Sequence, residues 1–194
     1  HLIPSVIAFS PQSETFHPLV GSEAVKMVMV TTIPPQNTIF GFVRMLGCSY
    51  SSLMSGNIKQ QQQQQFPFII VSNSEGKPMI QITQKGEQQV QLSPEMCTRI
   101  LLHHLIHMAE CQLNCQVKDV LINCPSAATR YHKEALFSSL PLEEDFPFEC
   151  PSHHHINCLR LVSSSSLAAF SCSILNQQQQ QQKNKKTQTV FLID

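Results

Sequence analysis

Apolar and polar positions alternate twice in the middle of the chain. Met79–Thr83 reads MIQIT and Gln89–Leu92 reads QVQL, with Lys85, Gly86 and Glu87 as a turn between them. A period of two puts apolar side chains on one face of a strand and polar ones on the other. Upstream, Phe66–Asn73 (FPFIIVSN) is a run of strand formers closed by the turn residues SEGKP. The three runs predict an antiparallel meander with one wet face.

After Leu92 the period lengthens. Ser93 is an N-cap residue, Pro94 suits the first helical turn, and Glu95 complements the helix dipole. Cys97, Leu101, Leu105 and Met108 then form an apolar stripe, and the helix is expected to end near Asn114. Val117–Cys124 reads as a strand ending at Pro125, Ser126–Ser139 as a helix, and Ile156–Val162 as a strand. Leu167–Leu175 reads as a helix, and Thr189–Ile193 as a closing strand with Asp194 at its carboxyl end. Such strand–helix alternation predicts an α/β layer. Ligands of these sheets sit beyond the carboxyl ends of the strands. Pro125, Ser163–Ser166 and Asp194 lie there, where a nucleotide is expected.

The stretch Asn37–Gly47 (NTIFGFVRMLG) has Ile39, Phe40, Val43 and Leu46 at helical spacing, and an Asn-Thr pair that can open a helix. It reads as a helix with one charge, Arg44, in its middle. For Arg44 two readings stand side by side, a solvated surface side chain and a remnant of a phosphate site.

Composition narrows the function classes. Of 194 residues, 42% are hydrophobic, enough for a core, and 13 basic residues balance 13 acidic ones. A neutral chain carries no electrostatic footprint for nucleic acid or anionic lipid, and no apolar run approaches the roughly 20 residues needed to span a bilayer. His1 is followed by no charged n-region and apolar h-region, so the start reads as a fragment or a processed end. Most of the eight cysteines fall on apolar faces of predicted elements, which predicts reduced thiols in a cytoplasmic setting rather than a disulfide framework.

Low-complexity loops are expected at Gln60–Gln65 and from Gln177 to Lys186, where glutamine runs cannot bury enough apolar surface to order themselves. His103 and His107 are one helical turn apart, as are His107 and Cys111, the spacing of a metal clip. Sequence fixes no third ligand, so no metal site is nominated. The His153–His155 run and the acidic Glu143–Asp145 run read as loop residues.

The order of these motifs resembles part of the ATPase domain of the heat shock protein 70 chaperones. LIPSVIAF resembles the family's T-P-S-Y-V-A-F strand, and Val20–Ala24 its I-G-x-x-A helix start. NTIFGFVRMLG resembles N-T-V-F-D-A-K-R-L-I-G. FPFIIVSNSEGKPMIQI resembles W-P-F-x-V-x-x-x-x-G-x-P-x-x-x-V. The Ser93 helix and the strand ending at Cys124-Pro125 resemble the family's P-E-E-V-S-x-x-I-L helix and V-x-x-A-V-I-T-V-P strand. CLRLVSSSSLAAF resembles V-L-R-I-I-N-E-P-T-A-A-A-I, and VFLID the strand entering a D-L-G-G-G-T phosphate loop. The match is collinear outside the glutamine tracts and the stretch 141–155.

The resemblance implies an incomplete lobe of a two-lobed, actin-like (ribonuclease H-like) α/β ATPase domain spanning residues 1–194. It also implies ATP and Mg²⁺ as cofactors, with unfolded polypeptide, J-domain co-chaperones and nucleotide-exchange factors as partners. Carried over by position, the family's catalytic Lys falls on Val43, with Arg44 retained beside it. The Glu of N-E-P-T falls on Ser164. The V-P corner survives as Cys124-Pro125, and Asp194 matches the Asp opening the second phosphate loop. The first phosphate loop would precede the residues matching His1. Arg44, Pro125 and Asp194 are therefore the candidate nucleotide contacts, and Val43 and Ser164 are degenerate catalytic positions. The expectation is a chaperone ATPase lobe without hydrolysis. The alternatives are a non-enzymatic scaffold or co-chaperone-binding protein, and an atypical ribosome-associated chaperone.

Overall fold

The computed structural model describes residues 2–11, 17–30, 33–55, 66–84, 88–140, 157–168 and 171. Three small sheets and the helices packed on them make up the described fold. The first sheet has β1 (Val6–Phe9) at its centre, flanked by β2 (Pro18–Val20) and β3 (Thr38–Phe40), all antiparallel. Both faces of β1 are covered. Ile7 and Phe9 point into the main core, while Ala8 meets Ala24 and Ile33 on the other side. Ala24 comes from α1 (Ser22–Met29). This two-sided burial explains why β1 is a continuous apolar run and does not alternate.

The second sheet is the expected meander. β4 (Ile69–Ser72), β5 (Pro78–Thr83) and β6 (Gln89–Leu92) pair antiparallel in that order. Along β5, Pro78, Ile80 and Ile82 are buried, and Met79, Gln81 and Thr83 between them are only half-buried. Full burial of each such aliphatic side chain contributes about 1.5–3 kcal/mol. Ile80, Ile82 and Leu92 meet Ile7, Phe9 and Ile39 of the first sheet in one cluster. Phe40, Phe66 and Phe68 close its margin, with ring centroids 5.0 to 5.9 Å apart.

Asn37 fastens the two sheets to each other. It is fully buried. Its Nδ2 donates to the Phe9 carbonyl at 3.1 Å and to the Thr83 carbonyl at 2.6 Å, and its Oδ1 accepts from the Thr83 N–H at 3.0 Å. One side chain thus satisfies backbone groups at the ends of β1 and β5, where both ladders stop.

The expected helix over Asn37–Gly47 does not form as such. Asn37 ends a short 3-10 turn (Pro35–Asn37), Thr38–Phe40 is a strand on β1, and Gly41 takes a left-handed conformation with φ 68°. Only Phe42–Met45 is helical, as 3-10. β-Branched and aromatic residues beside a ready partner strand outcompete a weak helical period. A short helix, α2 (Tyr50–Met54), follows, capped by Ser49.

The longest helix, α3 (Pro94–Leu113), begins as its cap predicts, with Ser93 Oγ accepting the Met96 N–H at 3.0 Å. Asn114 ends it in the left-handed region. Its buried surface is wider than the predicted stripe. Cys97 and Leu101 are buried, Leu105 and Met108 are half-buried, and Ile100, Leu102, His103 and Ile106 are buried as well. The extra width has a cause. Cys97, Ile100 and Leu101 face the main core, whereas Leu102 faces a second cluster with Ile122 and Leu140.

That second cluster belongs to a β–α–β unit. β7 (Asp119–Cys124) and β8 (Asn157–Ser163) pair parallel, and α4 (Arg130–Ser138) lies between them in the chain. The helix starts four residues later than Ser126. Pro125–Ala128 is a turn closed by the Ala128 N–H on the Pro125 carbonyl, and Thr129 is the cap that accepts the His132 N–H. Residues 164–168 are helical immediately after β8, ahead of the expected start at Leu167. The glutamine tracts, the closing strand Thr189–Ile193 and Asp194 lie outside the described residues, as do the acidic and histidine runs between 141 and 155. Among the described residues no helix is long and apolar enough to cross a membrane.

Replacing Asn37 by Ala removes all three of these hydrogen bonds from the seam between the sheets. A cost of about 2–3 kcal/mol is expected, read as a lower urea midpoint at unchanged m-value; a midpoint equal to wild type would show that the seam does not depend on Asn37.

Candidate functional site: the carboxyl ends of the parallel pair

Parallel pairing fixes which groups meet at the end of the β–α–β unit. Asn123 stands opposite Val162, and Cys124 opposite Ser163. Both chains turn away just beyond, at Pro125-Ser126 and at Ser164–Ser166. The two turns are joined directly. Ser164 Oγ lies 3.2 Å from Asn123 Oδ1 and 3.3 Å from the Cys124 carbonyl, and the Ser165 N–H donates to Ser126 Oγ at 3.1 Å. Ser163 Oγ accepts the Ser166 N–H at 3.2 Å and sits 2.8 Å from Ser166 Oγ and 3.1 Å from Ser165 Oγ. The corner is built of hydroxyls, one amide and backbone, and every one of these side chains is neutral.

The sequence-derived positions distribute unevenly around this corner. Pro125 and Ser164 are in it. Pro125 is exposed, and Ser164 is half-buried and engaged with β7. Val43 and Arg44 are on the Phe42–Met45 turn, both exposed, between the buried Phe42 and Met45. Among the described residues no hydrogen bond or ion pair joins Arg44 to the corner. The turn nevertheless reaches the β–α–β unit through its next residues. Gly47, at φ 65°, packs so closely on the start of α4 that a Cβ there would overlap the Tyr131 backbone and stand 2.8 Å from the His132 nitrogen. Only glycine fits both that space and that backbone conformation. Asp194 is outside the described residues.

Two participants escape a sequence reading. Asn123 and Ser126 flank the Cys-Pro pair and look like ordinary strand-end and turn residues; only the register with β8 turns them toward Ser164 and Ser165. Thr129 was missed for another reason. The helix was expected to begin at the first polar residue after proline, whereas the capping signal lies three residues further on.

The histidine and cysteine spacings on α3 resolve differently. His103 is buried in α3, one helical turn before the half-buried His107 and two before the exposed Cys111. His107 and Cys111 are neighbours on the exposed end of α3, with Nε2 and Sγ 3.7 Å apart. Among the described residues no group of three or more His, Cys, Asp or Glu is placed to hold a metal ion. Cys48, Cys97, Cys111, Cys115 and Cys124 are free thiols. Burial pushes the Cys97 and Cys48 thiols up from their ordinary range, which disfavours the nucleophilic thiolate.

Thiol labelling under native conditions should therefore sort the cysteines by exposure. Cys111 and Cys115 are expected to react first and Cys48 more slowly, with Cys97 and Cys124 reacting only after unfolding. Labelling of Cys97 as fast as Cys115 would contradict the packing of α3.

Comparison with known proteins places this arrangement. The sequence profile described as "Hsp70 protein" matches residues 1–136. The chain is 31% identical over 123 residues to "Chaperone protein DnaK" of Akkermansia muciniphila, covering 63% of this chain and 17% of that protein. It is 30% identical over 123 residues to "Heat shock 70 kDa protein" of Trichophyton rubrum, again 63% of this chain and 17% of the relative. The likeness to "Heat shock 70 kDa protein 4" of Rattus norvegicus runs over 189 residues at 23% identity, or 97% of this chain and 20% of that protein. The chain spans about a fifth or less of the length of these relatives. With the profile matching well over half of its residues, the chain belongs to the Hsp70 protein family, whose fold is that of an actin-like ATPase.

Proposed function

We propose that this chain serves as the scaffold of a heat shock protein 70-type ATPase lobe in a chaperone, and that it does not turn over ATP. The observation that supports this reading is the neutrality of the corner where the strands end. The family resemblance puts a catalytic Lys at Val43 and a carboxylate at Ser164. Val43 is an exposed aliphatic side chain, and Ser164 is a hydroxyl already bonded to β7. Arg44 does not replace the lysine, because successive residues on a helical turn point about 100–120° apart.

Nucleotide hydrolysis asks three things of such a site. Phosphates need N–H donors, developing charge needs a cation, and Mg²⁺ needs oxygen ligands, usually carboxylates. The described corner does not fit Mg²⁺: Asn123, Ser126 and Ser163–Ser166 offer neutral oxygens only. Loss of one preorganised charged donor costs about 3 kcal/mol of transition-state stabilisation, by analogy with an oxyanion donor, which is roughly a hundredfold in rate. Two such positions are altered here.

ATP, unfolded polypeptide, J-domain proteins and nucleotide-exchange factors are what the family implies around an active lobe. For this chain the neutral corner argues against a nucleotide-driven cycle, and contact with chaperone partners is what we carry over from the family. Calorimetric titration of the chain with Mg-ATP is the test. Binding weaker than micromolar, or no heat, is expected. Sub-micromolar affinity would overturn the reading, because it would require a phosphate cradle that the described corner does not offer.

A further inference from the structure

The serine turn after β8 does more than lack charge. We infer that it is an internal latch: the hydroxyls of Ser126, Ser163 and Ser164 close the corner with the protein's own groups and occupy donors that a phosphate would otherwise use. This rests on the placement of Ser164 at the family's carboxylate position and adds what the substituted residues do there.

Follow each donor. A turn leading into a helix leaves its first N–H groups without backbone partners, and such groups are the usual recruits for anion binding. Here the Ser165 N–H is taken by Ser126 Oγ from the other strand's turn, and the Ser166 N–H by Ser163 Oγ from the end of β8. Ser164 Oγ has one proton to donate across the gap, shared between Asn123 Oδ1 at 3.2 Å and the Cys124 carbonyl at 3.3 Å. Both cross-links run between segments about 40 residues apart in the chain, so they are tertiary ties that hold the ends of β7 and β8 together. A carboxylate at residue 164 could not reproduce them. It would face the Cys124 carbonyl as acceptor against acceptor, and could keep a bond to Asn123 only with that amide turned to present Nδ2. The serines are thus mutually consistent: Ser164 suits a corner with no metal, and Ser126 and Ser163 suit one with no phosphate. The corner is closed without a ligand.

Residue-resolved amide exchange on the full chain tests this, with Mg-ATP and inorganic phosphate as probes. Ser165 and Ser166 amides are expected to be protected in the free protein and to exchange at the same rate when either probe is added. Ser126→Ala should speed exchange at Ser165 about fivefold and leave Ser166 unchanged, and Ser163→Ala should do the reverse, each change matching one hydrogen bond. Ser164→Thr keeps the hydroxyl and should preserve both protections, whereas Ser164→Glu should lose them and lower Tm; the Thr variant keeps the test readable if the Glu variant fails to fold. Unprotected amides in the free wild type, or protection that rises with Mg-ATP or phosphate, would overturn the latch. ATP turnover with the exchange pattern intact would instead sink the non-hydrolysing reading and leave the latch standing.

Discussion

One amide side chain holds the larger part of this fold in register. Asn37 is buried where the ends of two antiparallel sheets meet, and its three hydrogen bonds satisfy backbone groups of both. Sheet ends are where ladder hydrogen bonding stops and water normally takes over. Asn37 is itself fully buried, so its amide takes the place of water there. The positions of α3 and of the Phe42–Met45 turn follow, because both pack on the core that the seam creates.

A different kind of constraint governs the second half. β7 and β8 are parallel and their carboxyl ends converge, which makes a polar corner unavoidable. What occupies that corner decides whether the fold does chemistry. Burial and pairing are satisfied by any residues of suitable size and shape, so the scaffold tolerates wide divergence. Transition-state stabilisation depends on particular charges in particular places, so a single replacement weakens it sharply. On the proposed reading the two kinds of constraint come apart: the described residues keep a packed core, while Val43 and Ser164 stand where the family resemblance puts charged groups.

How much of this was legible beforehand depends on the range of the interaction. The β5 and β6 alternation and the Ser93 cap are local signals, and the structure has strands and a helix start where they point. Asn37–Gly47 carries helical spacing at Ile39, Phe40, Val43 and Leu46, yet Thr38–Phe40 pairs as a strand. The decision came from β1, some thirty residues upstream, and from Gly41, whose left-handed conformation ends the strand. The width of the buried face on α3 was underestimated since one helix serves two clusters. At the corner, Pro125 and Ser164 could be nominated by position in the family's motifs. Their partners Asn123 and Ser126 could not, because they are selected by the β7–β8 register, which no local pattern encodes. Asp194 lies outside the described residues and stays a position in a motif.

On the proposed reading, a nucleotide-handling fold persists here without the charges that make it an ATPase. The direct measurement is phosphate release from Mg-ATP by the purified chain, followed over increasing protein concentration. No release above that of a mock preparation is expected at any concentration. Release that scales with the chain and co-purifies with it through successive columns would contradict it.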